Sequence, residues 1–150
     1  MEKIKVQSGK KVYQIVDERD RELGVIEIDP ADIGIVKRAE DAKKRIMAQL
    51  EAAKAIDPKA KDFGDKITRI DEEIKAALND MFAYDISSVV FGQAHTLSTH
   101  KGVTFVERFL DAVVPVIENN FDTESAAMSK RMSQYTNQYR NNRRKKRYHK

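Results

Sequence analysis

Apolar and polar positions alternate at the start of the chain and then change period. Ile4 and Val6 alternate with polar neighbours, and Ser8-Gly9-Lys10 has turn composition. Val12, Gln14 and Val16 fall on one side of an extended segment, with Tyr13 and Ile15 on the other. A polar stretch from Asp17 to Glu22 leads into a second run, Gly24-Val25-Ile26-Glu27-Ile28. Period-two alternation broken by turn residues predicts two or three short antiparallel strands. So small a ribbon is marginal alone and must pack on a helix.

From Asp29-Pro30 onward the period becomes helical. Asp29 is a capping residue, and Pro30 suits a first helical position. Ile33, Val36, Ala39, Ile46, Leu50 and Ala53 then form a stripe, with Lys37, Arg38, Glu40, Lys44 and Arg45 on the remaining surface. That is an amphipathic helix of about six or seven turns, ended by Asp57-Pro58. After a polar connection from Asp57 to Gly64, Ile67, Ile70, Ile74, Leu78 and Met81 recur at spacings of three and four. Two successive stripes predict an antiparallel helical hairpin. Ordinary core packing explains both stripes; the functional alternative leaves part of one open for a partner helix.

Asp85 to Lys101 breaks the period. Ile86, Val89, Val90 and Phe91 make an apolar knot, Gly92 permits a turn, and Gln93 to Lys101 reads as loop. Thr104-Phe-Val-Glu107 has the form of a capping box, so a helix starts there. Phe105, Phe109, Val113, Val116 and Ile117 line it. Pro115 predicts a kink near Asp111, and Asn119-Asn120 predicts an end. Thr123 then opens a last helix carrying Met128, Met132, Tyr135 and Tyr139 at helical spacing. The predicted class is α+β, mainly α: an N-terminal antiparallel β-ribbon on a helical hairpin, two further helices and a basic C-terminal tail. Residues 1–139 form one domain and 140–150 a flexible tail.

Composition adds an asymmetry. The formal net charge is +4, but residues 140–150 hold seven Lys or Arg and no acid. Without those seven of the 28 bases, 21 face 24 acids, a net of −3. The body is therefore mildly acidic and the basicity sits at one end. The charged fraction of 35% exceeds the usual ~25% and suits long solvated helices. There is no cysteine, which excludes disulfides, thiolate metal sites and cysteine nucleophiles. No apolar run approaches the ~18 residues of a membrane span. The N-terminus lacks the apolar core of a signal peptide, so the expected compartment is the cytoplasm.

Candidate chemistry is sparse. There is no phosphate loop, dinucleotide fingerprint or nucleophile elbow. His95 and His100, with Asp85, could in principle hold a metal, but their spacing matches no zinc signature. Local hydrogen bonding is the plainer reading. A serine triad needs a histidine oriented by an acid beside a strained serine; Ser87, Ser88 and Ser98 are available, but serines occur in almost any loop. The expectation is no enzyme, no cofactor, no metal and no catalytic residue. The sharpest feature is the basic run. Arg140, Arg143, Arg144, Lys145, Lys146 and Arg147 could neutralise phosphates or meet an acidic partner, and Tyr148 could stack on a base. A small nucleic-acid-binding accessory protein is thus the alternative function, although no helix-turn-helix, RNA-binding sheet or zinc finger accompanies the run.

Several segments in order resemble the tail assembly chaperones of long-tailed phages and prophages of Gram-positive bacteria. They are Lys11-Val-Tyr-Gln-Ile-Val-Asp-Glu18, then Val25-Ile-Glu-Ile-Asp-Pro-Ala-Asp32 with Lys37-Arg38-Ala-Glu40. Ile70-Asp-Glu72, Val90-Phe91-Gly92 and Glu107-Arg-Phe-Leu110 with Pro115 follow, and a tyrosine-bearing basic end closes the series. Residues 93–101 and the length of the basic end have no counterpart in that pattern.

The resemblance implies a binding protein that keeps the tape measure protein, a very long helical chain with apolar faces, soluble until tail tube subunits polymerise around it. It implies homo-oligomers, work in the host cytoplasm and absence from the mature virion. It also implies contact with the tail tube protein and with a longer, frameshifted form of the same chain. Val90, Phe91, Met128 and Met132 are the expected partner-binding residues. Methionine adapts its shape to varied apolar surfaces, although core filling explains these methionines as well. Phe91 and Gly92 are also expected to anchor and permit the turn between helical halves.

Overall fold

A computed structural model describes residues 1–148, apart from the side chains of Tyr135 and of residues 138–148. The class is α+β, mainly α. Strands β1 (Lys11–Val16) and β2 (Glu22–Ile28) pair antiparallel, with Tyr13 opposite Ile26 and a bulge between Ile15 and Val16. The Asp17 carboxylate closes their turn, accepting the N–H groups of Arg19 and Arg21 at 2.8 and 3.0 Å. Those backbone donors, Arg21 first, hold the Asp17 carboxyl below the usual carboxylate range. Ile26 and Ile28 are buried, with Tyr13 and Ile15 beside them, while Val12 and Val25 face outward. The pairing parity expected along Lys11–Val16 holds. Residues 1–10, including Ile4 and Val6, join no strand and are exposed.

Helix α1 (Ile35–Lys54) begins five residues after Pro30. Asp29 and Asp32 instead build two successive turns, accepting the N–H groups of Ala31 and Gly34 at 3.0 and 2.9 Å. That delay rotates the buried stripe to Ile35, Ala39, Ala42 and Ile46, and leaves Ile33 and Val36 exposed. Helix α2 (Phe63–Phe82) packs against α1 with Ile70, Ile74, Ala77, Leu78 and Met81 buried. Arg45 on α1 bonds Asp80 on α2 at 2.6 Å. Arg38 donates Nε to the Met81 carbonyl (2.9 Å) and Nη2 to Asp32 (2.7 Å), serving the carbonyl end of α2 as a cation should.

The apolar knot after Asp85 is a short helix, α3 (Ile86–Val90). Asn79 on α2 accepts the Ser87 N–H at 2.9 Å and so caps it from outside. Where a loop was expected, β3 (Thr99–His100) and β4 (Val103–Thr104) form a minimal hairpin. Its two turn residues, Lys101 and Gly102, have φ of 53° and 80°, the left-handed pair that such a turn demands.

Helix α4 (Phe105–Tyr148) is continuous. Half of the capping box forms: Thr104 Oγ1 accepts the Glu107 N–H at 3.3 Å, while the Glu107 carboxylate accepts from the Thr104 hydroxyl at 3.0 Å in place of the Thr104 N–H. The expected stop at Asn119-Asn120 and restart at Thr123 do not occur. Asn120 and Thr123 turn their side chains back to the carbonyls of Val116 and Asn119, at 2.7 and 2.9 Å, and the backbone stays helical. The two helices beyond the hairpin are therefore α3 and α4. The stretch expected as a separate tail continues α4 as far as Tyr148.

Candidate functional site

Two apolar surfaces stand open. The first is a groove of about 470 Å³ between β1 and the first three turns of α4. Val90, Ile26 and Phe109 form its buried floor, and Val113 and Val116 stand on the α4 wall. Four phenylalanines form and back that wall. Phe91 meets Phe105 edge-on with centroids 4.8 Å apart and Phe109 at 6.0 Å, and Phe109 meets Phe82 at 5.9 Å. Each such pair adds about 0.5–1.5 kcal/mol beyond area burial. Arg108 lies 4.7 Å over the Phe105 ring and donates to the Ser98 carbonyl at 3.3 Å. Its buried Nε is without a hydrogen-bond partner among the described residues.

The second surface is α4 beyond the body. Val106, Phe109 and Ile117 are buried and Phe121 is half-buried, but the described side chains after Phe121 are exposed. The same stripe continues into that part as Met128 and Met132, 60% and 61% exposed. At a rise of about 1.5 Å per residue the stretch after Phe121 is about 40 Å long.

The expected partner residues separate on these surfaces. Met128 and Met132 lie together, flanking a shallow depression with Arg131 and Thr136. Val90 and Phe91 are in the core, 5% and 4% exposed, with Phe91 packed against Phe105 and Phe109. The side chains of Tyr135, Tyr139, Arg140, Arg143, Arg144, Lys145, Lys146, Arg147 and Tyr148, and all of His149, lie outside the described residues.

The polar centre of the fold is a clasp between α2 and the segment after α3. Buried Asp71 accepts from the Thr96 N–H at 2.7 Å and the Thr96 hydroxyl at 2.8 Å, and pairs with Lys75 at 2.9 Å. Burial pushes the carboxyl up, but the Thr96 N–H, Lys75 and the Thr96 hydroxyl outweigh it and hold it below the usual range. His95 Nδ1 accepts the Leu97 N–H at 3.0 Å, so the proton is on Nε2, which donates to the Ile67 carbonyl at 3.0 Å. Both ring nitrogens thus serve the backbone. Ser88 donates to Asp85 at 2.7 Å, and that bond, first among several, lowers the Asp85 carboxyl. Among the described residues no cluster of three metal-ligating side chains occurs, and His100 stands exposed on β3. No described helix is long and apolar enough to cross a membrane.

Sequence reasoning found the methionine face but not the groove. Its signal was present in the alternation of Tyr13 and Ile15 against the spacing of Phe109, Val113 and Val116, which only the fold brings together. No protein-family model, curated protein or solved structure matches the chain.

Proposed function

We propose that this chain is a phage tail assembly chaperone that binds the tape measure protein stoichiometrically, without turnover, in the host cytoplasm. The observation that carries the reading is the exposed methionine face of α4, which prolongs the buried stripe of the body into open solvent. An amphipathic client helix laid along it buries apolar surface on both sides. Methionine tolerates the changing side chains of a long client. The charged body keeps the pair in solution. The ordered motif resemblance supplies the client's identity, and with it contacts to tail tube protein and to a longer frameshifted form.

The test is a tagged co-expression with the tape-measure-like protein encoded beside this gene, in lysate treated with nuclease. Under this reading the long protein becomes soluble and co-purifies after nuclease. If it stays insoluble while nucleic acid co-purifies without nuclease, the reading fails and the basic run becomes the principal site.

A further inference from the structure

The groove runs under the inner face of the ribbon, where Ile26 and Ile28 line it, and out along the β1 edge. Consecutive β1 residues of both faces, Tyr13 and Ile15 as well as Gln14 and Val16, line it. Among the described residues β1 pairs only with β2, so the edge turned toward α4 has a row of backbone groups with no described strand beside it. An extended chain added there would gain main-chain hydrogen bonds and send alternate side chains into the apolar floor.

The same molecule carries such a chain. Residues 1–10 lie outside the ribbon and are fully exposed, with Ile4 at 91% and Val6 at 82%. Their alternation, Ile4 and Val6 on one side against Lys3 and Lys5 on the other, is that of a half-buried strand. Residues 1–7 extend to about 23 Å at ~3.3 Å per residue, a match for the six-residue β1. Asp17 and Glu18 stand at one end of the groove and Arg108 on its α4 wall, and the lysines suit the acidic end. The arm does not lie on its own β1. Residues 1–10 pair with no strand and stand exposed, and Gly9, at φ 76°, still runs beside the Asp29 carboxylate at the end of β2.

We propose that the groove takes the N-terminal arm of a second copy of this chain, added to β1 as a third strand. Ile4 and Val6 then stand opposite Tyr13 and Ile15. Because opposed residues share a face, that match puts Lys5 beside Gln14 whichever way the arm runs. The inference uses the β1 edge and not the methionine face, so it stands or falls apart from the proposed function.

The chain has no cysteine, which makes a cross-link clean. Lys5→Cys and Gln14→Cys, both exposed positions, would be co-expressed as differently tagged single variants and mildly oxidised. The expected product is a disulfide-linked dimer carrying both tags, absent when either variant is expressed alone. Deleting residues 2–7 should lower the solution mass to that of a monomer, with helical circular dichroism unchanged. Absence of the mixed dimer overturns the inference. So does a Lys5→Cys/Gln14→Cys double variant that closes only within one chain, or a mass unaffected by the deletion. Protection of Gln14→Cys by tape measure protein, without any inter-chain link, would give the groove to the client instead.

Discussion

Gly24 on β2 and Val89 on α3 are in contact so close that a Cβ on Gly24 would stand 2.7 Å from Val89 Cγ1. This contact sets how near the ribbon sits to the short helix whose Val90 floors the groove. Gly24→Ala should destabilise the fold by about 1–3 kcal/mol through overpacking. Val89→Ala in the same chain should recover the overpacking part of that loss, since it removes the obstructing methyl, while the strain of an alanine at the Gly24 φ of 159° remains. Urea melts of the two single variants and the double variant check this; additive losses would refute the contact as the cause.

The Asp71 clasp makes a pH-dependent contribution with a defined sign. Its folded carboxyl titrates below the ordinary value of 3.8, so the stability it adds is complete above that value. The contribution is lost as pH falls through the folded value. Asp71→Asn keeps an acceptor for Thr96 but gives up the charge toward Lys75. The melting temperatures of wild type and variant should differ by a constant amount above about pH 5 and converge below about pH 4. A gap unchanged down to pH 3 would contradict the assignment.

Phe91 was legible in sequence as a turn anchor and as a partner contact, and its burial fits the first. It is buried against Phe105 and Phe109. Phe91→Ala should cost about 3–5 kcal/mol in equilibrium unfolding. Any loss of client binding should follow the fraction unfolded. Binding lost at full folding would restore a contact role.

What the sequence disclosed and what it hid divide along a physical line. Local pattern exposed the ribbon parity of Tyr13 and Ile15, the hairpin stripe from Ile70 to Met81, and the Thr104 side-chain cap of α4. Helix boundaries failed where side chains choose between two backbone partners. Asp32 extends a turn before α1, and Asn120 bonds back along α4 where an Asn pair reads as a stop. The β3–β4 hairpin escaped because Lys101 accepts a left-handed φ that the pattern assigns to glycine or asparagine. The groove escaped because it joins elements about ninety residues apart, and no window of sequence contains both walls.

The basic run gives the alternative function a measurable form. If Arg140, Arg143, Arg144, Lys145, Lys146 and Arg147 neutralise phosphates of a duplex, log K should fall with log salt at a slope near −5, about −0.9 per phosphate. Under the chaperone reading, deleting residues 140–150 abolishes that salt-dependent binding and leaves solubilisation of the tape measure protein intact. Filter binding across a salt series and the co-expression assay report the two separately. A deletion that lost client solubility would move the site to the basic run.

Met128 and Met132 carry the chaperone reading at the level of side chains. Both are exposed on a helix whose described side chains touch no core beyond Phe121, so charge at either position should leave the body folded. Burying a methionine in a complex contributes about 1.5–3 kcal/mol, so each substitution by Glu should weaken client binding by roughly one to two orders of magnitude. Together, Met128→Glu and Met132→Glu should return the tape measure protein to the insoluble fraction while circular dichroism and melting temperature stay at wild-type values. Met128→Leu and Met132→Leu keep the apolar area and should retain solubilisation. If both Glu substitutions left the client soluble, the projecting face of α4 would not be its binding site, and the groove between β1 and α4 would be the surface to probe next.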